Sequence, residues 1–224
     1  MNTLALDTAD QVFSVALATE TGVLYTEIDA GRRHSELLMD SAQRLCTIAG
    51  LKPADLTLVA CMKGPGSFTG LRIGFSAAKG IALALKIPLV SVPTLDCLAY
   101  PLSVWPGIVL PAVDAKKGCF FTALYREGQR LTDYMDASPE VLVTEITKAR
   151  LPSEQILLTG CGAELLYPRL AAYIPPADIM IDPKSRKGGA KELLQVIKDT
   201  IVNKDDSNSG PLYLRKSDAE LKID

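Results

Sequence analysis

The chain has 224 residues, of which 48% are hydrophobic and 22% charged, and its formal net charge is −2. This length suits one large domain or two small ones with a substantial core, and the balance is that of a soluble globular protein. Acidic and basic residues are mixed, without a basic tail or stripe, which argues against autonomous nucleic-acid binding through phosphate neutralisation.

Targeting signals and metal-binding patterns are not evident in the sequence. The first ten residues lack a cationic region followed by an apolar core and already carry Asp7, so we expect no signal peptide. Lys79 and Lys86 interrupt the best candidate for a membrane span, so we expect a cytoplasmic protein with no membrane partner. The five cysteines are scattered without a Cys-x-x-Cys pair, which predicts free and mostly buried thiols and no zinc site.

The N-terminal segment predicts an antiparallel meander followed by a helix. Apolar runs bounded by turns give three strands, at residues 3–8, 11–19 and 23–28, and a helical period continues over 35–49. Asp7 and Thr8 stand where the first strand meets its turn. They could face a nucleotide phosphate or its metal ion, or they could make ordinary turn hydrogen bonds; the sequence leaves both open.

A glycine-rich segment, residues 64–74 (hereafter the glycine loop), follows a strand predicted at residues 56–62. Gly64 and Gly66 can adopt positive φ and let backbone amides approach another group closely. Ser67 or Thr69 can cap the helix that follows. Such a helix N-terminus suits an anion or a phosphate, but a purely structural turn is an alternative interpretation.

The helix that leaves the glycine loop, strongest over residues 76–85, is apolar on nearly every side. A helix of this kind must be buried on more than one face. A row of small residues, Gly70, Gly74, Ala77 and Ala78, would admit a second helix closely. The helix therefore lies either in the middle of a large domain or between its own sheet and a partner.

The rest of the chain repeats the first pattern. A strand at 88–92 and a helix at 94–102 end a first lobe, residues 1–103, at a boundary marked by prolines. A second lobe, residues 104–224, begins with three further strands, at 108–113, 118–125 and 129–135. Its later predicted elements are a helix at 139–149, a strand at 155–159, a helical segment at 163–172 and a loop at 173–183. A C-terminal helix at 190–202 and a polar, flexible stretch at 203–210 follow. Asp114 follows the first of its strands, as Asp7 does in the first lobe.

The single histidine, His34, precedes the first predicted helix. It could be a metal ligand or a general base, or a surface or capping residue. A second ligand on the same helix face would stand four residues on, where the chain has Leu38. This spacing favours the surface or capping interpretation.

Five segments in this order resemble one family: Leu4-Ala5-Leu6-Asp7-Thr8, His34-Ser35-Glu36, the glycine loop, Val113-Asp114-Ala115-Lys116 and Pro211-Leu212-Tyr213-Leu214-Arg215. Together they closely resemble the TsaB (YeaZ) family, bacterial subunits of the machinery that makes threonylcarbamoyladenosine in tRNA. The resemblance spans nearly the whole chain, although residues 137–209 carry little of it.

The resemblance implies an α/β fold with two actin/ribonuclease-H-like lobes, each a mixed sheet with helices, the second lobe being reduced. It implies a non-catalytic subunit that dimerises with TsaD, works with the ATPase TsaE, forms a homodimer when alone and meets tRNA only through the complex. It implies no catalytic residue and no metal, since Leu38 replaces the second histidine of the TsaD metal pair. It also implies no cofactor of its own, with ATP acting only through the assembled complex. The partner interface would use the first two helices, and we expect it at Leu38, Ser41, Leu45, Gly70, Gly74, Ala77, Ala78 and Ile81.

A nucleotide site, if a vestige of one persists, would involve Asp7, Thr8, Gly64, Gly66, Ser67 and Asp114. On this basis an ATP-dependent phosphotransferase or ATPase of the sugar-kinase type is the alternative function. A peptidase with Ser67 as nucleophile would also need a general base, and nothing in the sequence places His34 beside Ser67.

Overall fold

The computed structural model describes residues 1–31, 33–184, 188–200 and 205–215. Its contacts divide the chain into a first unit, Met1–Cys97 with Gly188–Leu212, and a second unit, Leu98–Lys187 with Tyr213–Asp224. The first division therefore falls slightly before the predicted boundary at residue 103. Our prediction placed the C-terminal helix in the second lobe, whereas the structure places it in the first unit. The prediction followed chain order, which does not reveal that the chain returns to its first sheet.

Each unit begins with consecutive strands, after which helices and strands alternate. The strands are β1 Thr3–Asp7, β2 Val12–Thr19, β3 Gly22–Asp29, β4 Leu58–Gly64, β5 Leu89–Pro93, β6 Ile108–Asp114, β7 Phe120–Thr122, β8 Tyr125–Arg126, β9 Gln129–Arg130, β10 Met135–Ala137, β11 Ile156–Thr159 and β12 Ile179–Ile181. The helices are α1 His34–Ile48, α2 Phe68–Leu85, α3 Thr94–Ala99, α4 Pro139–Ala149, α5 Ala163–Leu170 and α6 Ala190–Thr200.

The first unit is built on a five-stranded sheet of order β3-β2-β1-β4-β5. β1, β2 and β3 are antiparallel, which confirms the predicted meander, and β4 and β5 run parallel to β1. All five residues of β1 are buried, as expected of a central strand covered on both faces. The turn from β1 to β2, residues 7–10 (hereafter the first turn), lies at the end of this strand.

The two faces of the first sheet differ in side-chain size. Leu4 and Leu6 join a core that includes residues of α1 and α2. The intervening Ala5 is aligned with Ala16 and Ala60 on its neighbouring strands. Since side chains alternate along a strand, these alanines share the opposite face, and α6 contacts the three strands that carry them. Small side chains in the middle of this face therefore allow α6 to lie close to the sheet.

Helix α2 is the most apolar long helix among the described residues. By length and composition alone it could cross a membrane, a test that the core helix of a soluble protein also passes. Its buried residues Leu71, Phe75, Ala78 and Ala82 face the protein interior, and it packs mainly against β4. Packing on the sheet thus accounts for the apolar residues on this side of the helix.

The second unit holds a mixed sheet of order β10-β7-β6-β11-β12, with β8 pairing to β6 and β9 to β8. Most of its strands are only two to four residues long, whereas β6 has seven. The strand predicted at 118–125 is divided into β7 and β8, and the one predicted at 129–135 into β9 and the start of β10. β12 was missed within the predicted loop 173–183, because its three residues lie between two prolines and a third, and pair with β11 over only that length.

Candidate functional site

The first turn lies against the glycine loop. The Ser67 backbone N–H donates to the Ala9 carbonyl oxygen at 2.7 Å, and the Thr8 hydroxyl donates to the Gly70 carbonyl oxygen at 2.7 Å. A Cβ atom at Gly66 would lie 2.5 Å from the Ala9 carbonyl oxygen, so the loop approaches too closely for any other residue. The groups of the glycine loop that we predicted could bind a phosphate thus bind a turn of the same chain.

Helix α2 begins directly after Ser67. The Gly70 backbone N–H donates to the Ser67 hydroxyl oxygen at 3.2 Å, which makes Ser67 the N-terminal cap. This confirms one of the two capping residues proposed from the sequence. The Ser67 hydroxyl is consequently bound to a backbone amide of the helix that it starts.

The small residues of α2 face Thr8. A Cβ atom at Gly70 would lie 2.0 Å from the Thr8 carbonyl oxygen, and one at Gly74 would lie 2.2 Å from the Thr8 hydroxyl oxygen. These glycines stand four residues apart, so they lie one above the other on a single helix face. Their small size is therefore needed for the approach of the first turn, which fills the space beside them that we expected a partner helix to use.

The Asp7 carboxylate binds two backbone amides. Its Oδ1 accepts from the Ala9 N–H at 2.9 Å, within the first turn, and its Oδ2 accepts from the Gly189 N–H at 2.6 Å. Gly189 immediately precedes α6, so the carboxylate occupies the position that an external anion takes at a helix N-terminus. The predicted alternatives for Asp7 were an external ligand or a local turn; the structure shows the turn bond together with a bond to a distant helix.

A second side chain supports the same helix start. The Ser14 hydroxyl accepts from the Ala190 N–H at 2.9 Å. A Cβ atom at Gly188 would lie 2.5 Å from Ser14, and one at Gly189 would lie 2.7 Å from the Met62 methyl carbon. We did not identify Ser14, Gly188 or Gly189 as site residues. The available signal was the Gly-Gly pair at a predicted helix start, but the sequence does not show what that start contacts.

Burial changes the acidity of Asp7. The residue is only 6% exposed, and desolvation raises the pKa of its carboxyl from 3.8 to about 6. The bonds from Ala9 and Gly189 act in the opposite direction, and the negative charges of Asp10 and Glu192 raise the pKa further. Together these contributions give Asp7 a pKa of about 6 while its carboxylate holds α6.

The C-terminal segment covers the other side of the glycine loop. The Leu212 N–H donates to the Lys63 carbonyl oxygen at 2.6 Å. Gly64 has a φ of +105°, and a Cβ atom there would lie 2.6 Å from the Leu212 carbonyl oxygen. Glycine is thus required at position 64 both by backbone conformation and by space.

His34 lies below the surface beside the first turn. Its Nε2 donates to the Asp10 carbonyl oxygen at 2.8 Å, and its ring packs at 5.6 Å, between centroids, from that of Phe13. The residue is buried, not the surface or capping histidine that we favoured. Among the described residues there is no group of three or more His, Cys, Asp or Glu side chains that could hold a metal ion.

Asp114 belongs to the second unit. Its Oδ1 accepts from the Lys116 N–H at 2.8 Å, and its Oδ2 pairs with the Lys116 ammonium at 2.6 Å. The other five predicted nucleotide-site residues belong to the first unit: Asp7, Thr8, Gly64, Gly66 and Ser67. They lie in the first turn and the glycine loop, next to Gly189 and Leu212.

Six of the eight residues expected at the partner interface are buried within the chain itself: Leu38, Ser41, Leu45, Gly70, Gly74 and Ala78. Leu38, Leu45 and Ala78 belong to the core between α1, α2 and the first sheet. Ala77 and Ile81 are partly buried against the same core. The most apolar side of each helix faces its own sheet, so these six residues offer little surface to a partner, and the interface assignment stays a prediction.

A different side of the two helices faces outward. On α2 the exposed residues are Thr69, Arg72, Ser76, Gly80, Leu83 and Ala84. Leu83 is 81% exposed, and on α1 Ile48 is 69% exposed. We call the exposed residues of α1 and α2, together with Ala77 and Ile81, the outer helical face. An interface at these helices would have to use it.

Comparisons with known proteins identify relatives of the chain. A family model described as "TsaD: tRNA N6-adenosine threonylcarbamoyltransferase" matches residues 19–161. Proteins named "tRNA threonylcarbamoyladenosine biosynthesis protein TsaB" are similar. That of Bacillus subtilis (strain 168) is 32% identical over 65% of this chain and 64% of its own length, and that of Escherichia coli (strain K12) is 33% identical over 67% and 66%. The matches thus span slightly less than two thirds of these curated relatives.

Solved structures show the same architecture. "YeaZ from Pseudomonas aeruginosa" is similar with a TM-score of 0.77 and 24% identity, and the match covers 95% of this chain and 99% of that one. A Bacteroides thetaiotaomicron protein with an actin-like ATPase fold is similar with a TM-score of 0.51 and 12% identity, over 87% and 95%.

The chain has two mixed sheets with helices packed on them, and it shares this arrangement with the actin-like fold. It therefore belongs to the actin-like α/β fold class. Within this class the chain belongs to the family of the matching model, described as "TsaD: tRNA N6-adenosine threonylcarbamoyltransferase", and it is similar to the curated proteins named TsaB.

The contact between Gly74 and Thr8 predicts a size limit. Gly74→Ala should lower the free energy of unfolding by about 2 kcal/mol or more, because the added methyl group overlaps the Thr8 side chain. Gly80→Ala is the matched control on the same helix. Its Cβ meets no atom within 4 Å, so helix propensity should raise stability by about 0.5–1 kcal/mol. Urea denaturation of both variants measures the difference; equal effects would contradict the assigned contact.

The acidity of Asp7 predicts a pH-dependent stability. Because the folded pKa is about 6 against 3.8 in the unfolded chain, the folded state binds the proton more tightly, and stability from this group falls as pH rises from about 4 to 6. Asp7→Asn removes this dependence. Relative to the wild type, the variant should therefore gain up to about 3 kcal/mol between pH 4 and pH 7.5.

Urea denaturation across this pH range compares the two chains, and Asp40→Asn controls for loss of an exposed carboxylate. Parallel stability curves for wild type and Asp7→Asn would contradict a titrating Asp7.

Proposed function

We propose that the chain is a non-catalytic partner subunit in the synthesis of threonylcarbamoyladenosine in tRNA. In this role it forms a heterodimer with a TsaD-class transferase, which modifies adenosine 37, and works with the ATPase TsaE. It forms a homodimer when alone, meets tRNA only through the complex and acts in the cytoplasm. Any ATP is bound and used by the assembled complex.

Family membership supports the pathway, and one structural observation supports the non-catalytic role: the chain's own backbone engages the groups that a nucleotide would need. Asp7 accepts from the start of α6, and the Ser67 amide donates to Ala9. Asp7 is buried, and Gly66, Gly70 and Gly74 leave space only for the first turn. A phosphate entering here would have to displace an internal hydrogen-bonded turn.

The same contacts count against a peptidase. The Ser67 hydroxyl accepts from the Gly70 amide as a helix cap. His34 Nε2 donates to a backbone carbonyl oxygen, which leaves this nitrogen unable to take a proton from a serine.

The outer helical face supports the dimerisation. Leu83 and Ile48 present apolar side chains on neighbouring helices of one core, and Ser76, Ala77 and Gly80 are small residues on the same helix as Leu83. Small residues there would let a partner helix lie close to α2, while Leu83 and Ile48 supply apolar area to bury.

Reconstitution tests the function. Threonylcarbamoyl transfer from threonylcarbamoyl-adenylate to tRNA should need this chain in addition to TsaD and TsaE, and omission of the chain should lower the multiple-turnover rate by at least about tenfold. The chain alone should neither hydrolyse ATP nor bind it with micromolar affinity. ATP hydrolysis by the isolated chain would instead support the phosphotransferase alternative, and unchanged transfer without the chain would contradict the proposal.

The outer helical face has its own test. Leu83→Glu should weaken heterodimer and homodimer formation by at least about tenfold, because a charge would be buried without a partner. Leu165→Glu on α5, where the leucine is also exposed, is the matched control and should leave both affinities unchanged. Analytical ultracentrifugation measures them, with circular dichroism to confirm folding. Equal behaviour of the two variants would remove this face from the interface.

A further inference from the structure

The outer edge of β3 is open. All eight residues of β3 pair in continuous register with β2, from Thr19 opposite Gly22 to Val12 opposite Asp29. β3 ends the first sheet, and no strand within residues 1–31, 33–184, 188–200 and 205–215 pairs with its other side. An edge of this length presents a row of backbone donors and acceptors to an incoming strand.

The opposite edge of the same sheet is covered. The Asp206 N–H donates to the Leu89 carbonyl oxygen at 2.6 Å, and its carboxylate accepts from the Ser91 N–H at 2.8 Å. The Asp205 carboxylate accepts from the Leu89 N–H at 3.2 Å. The chain thus satisfies the edge of β5 with its own residues, whereas the described residues do not do this for β3.

β3 lacks most features that protect an exposed edge. It is longer than an average strand, contains no proline or lysine, and shows no bulge in its pairing with β2. Its one protective feature is negative charge. This charge comes from Glu27 and Asp29, and β3 contains no lysine or arginine.

The exposed side chains of β3 follow a pattern. Val23, Tyr25, Glu27 and Asp29 alternate along the strand, so they share one face. Val23 is 50% exposed and Tyr25 is 37% exposed. One half of this face is therefore apolar and aromatic, and the other half is acidic.

We propose that β3 binds an extended basic segment of a partner protein as a sixth strand of the first sheet. Main-chain hydrogen bonds supply the pairing, lysine or arginine side chains lie next to Glu27 and Asp29, and apolar side chains lie next to Val23 and Tyr25. This surface is distinct from the outer helical face and does not depend on the proposed function.

Charge selects this occupant over others. β3 of a second copy carries no basic side chain, so pairing between two β3 strands offers Glu27 and Asp29 no opposite charge. Nucleic acid, which is negatively charged, is repelled by these carboxylates. A basic strand is attracted, and acidic side chains on its neighbour fix its register.

A fluorescein-labelled peptide of alternating lysine and valine is the probe, and fluorescence anisotropy with the full chain is the readout. The peptide should bind, and the same peptide N-methylated at alternate residues should bind at least about tenfold more weakly, because it keeps the charge but cannot pair as a strand. Amide hydrogen exchange in β3 should slow on binding of the first peptide alone.

Two charge variants complete the test. Glu27→Lys with Asp29→Lys should weaken peptide binding by at least about tenfold. Glu36→Lys with Asp40→Lys, the same charge change on exposed residues of α1, should change it by less than about threefold. Circular dichroism checks that both variants fold. Equal binding of the N-methylated peptide, unchanged exchange in β3, or no binding at about 100 µM peptide would each overturn the proposal.

Discussion

The contact between the first turn and two helix starts organises the first unit. Asp7 holds the N-terminus of α6 through Gly189, and Thr8 and Ala9 hold the glycine loop at the start of α2. A four-residue turn therefore joins helices that contact the central strands of one sheet. Both contacts require glycine, because there is no space for a Cβ atom at these positions. The packing of the first turn therefore depends on residue size as much as on hydrogen bonding.

The same residue types serve a phosphate site and a packed turn. Both need glycines for close backbone approach, free amides at a helix N-terminus and a negative group to meet them. In this chain the negative group is the Asp7 carboxylate, and the amide that it meets belongs to α6, more than 180 residues away in sequence. What distinguishes the two uses is therefore the origin of the anion, and only the tertiary structure shows it.

Local features were predictable from the sequence, and long-range ones were not. The meander, the Ser67 cap and the glycine loop depend on residues close in the chain, and the structure has them all. The place of α6 depends on the alanines at 5, 16 and 60 and on Asp7, which are distant from it. The expected interface residues meet a related difficulty: a helical period separates two faces of α2, but the more apolar face is the one that its own sheet buries. Asp205 and Asp206, predicted to be flexible, bind the edge of β5 for the same long-range reason.

The buried Asp7 carboxylate also constrains which surfaces remain for partners. Asp7 is only 6% exposed and bonds to the start of α6, so its carboxylate is not offered to a partner at the surface. The sheet face opposite α6 is covered by α1 and α2, whose inward sides are used by the core. A partner of the first unit can therefore approach the outward sides of these helices without disturbing that core.

The two edges of the sheet differ in the same way. The edge of β5 is occupied by the aspartates at 205 and 206, whereas the backbone of β3 is left without a described strand beside it. Partners of this unit can thus bind at the surfaces that no other described part of the chain covers, namely the outward sides of α1 and α2 and the edge of β3.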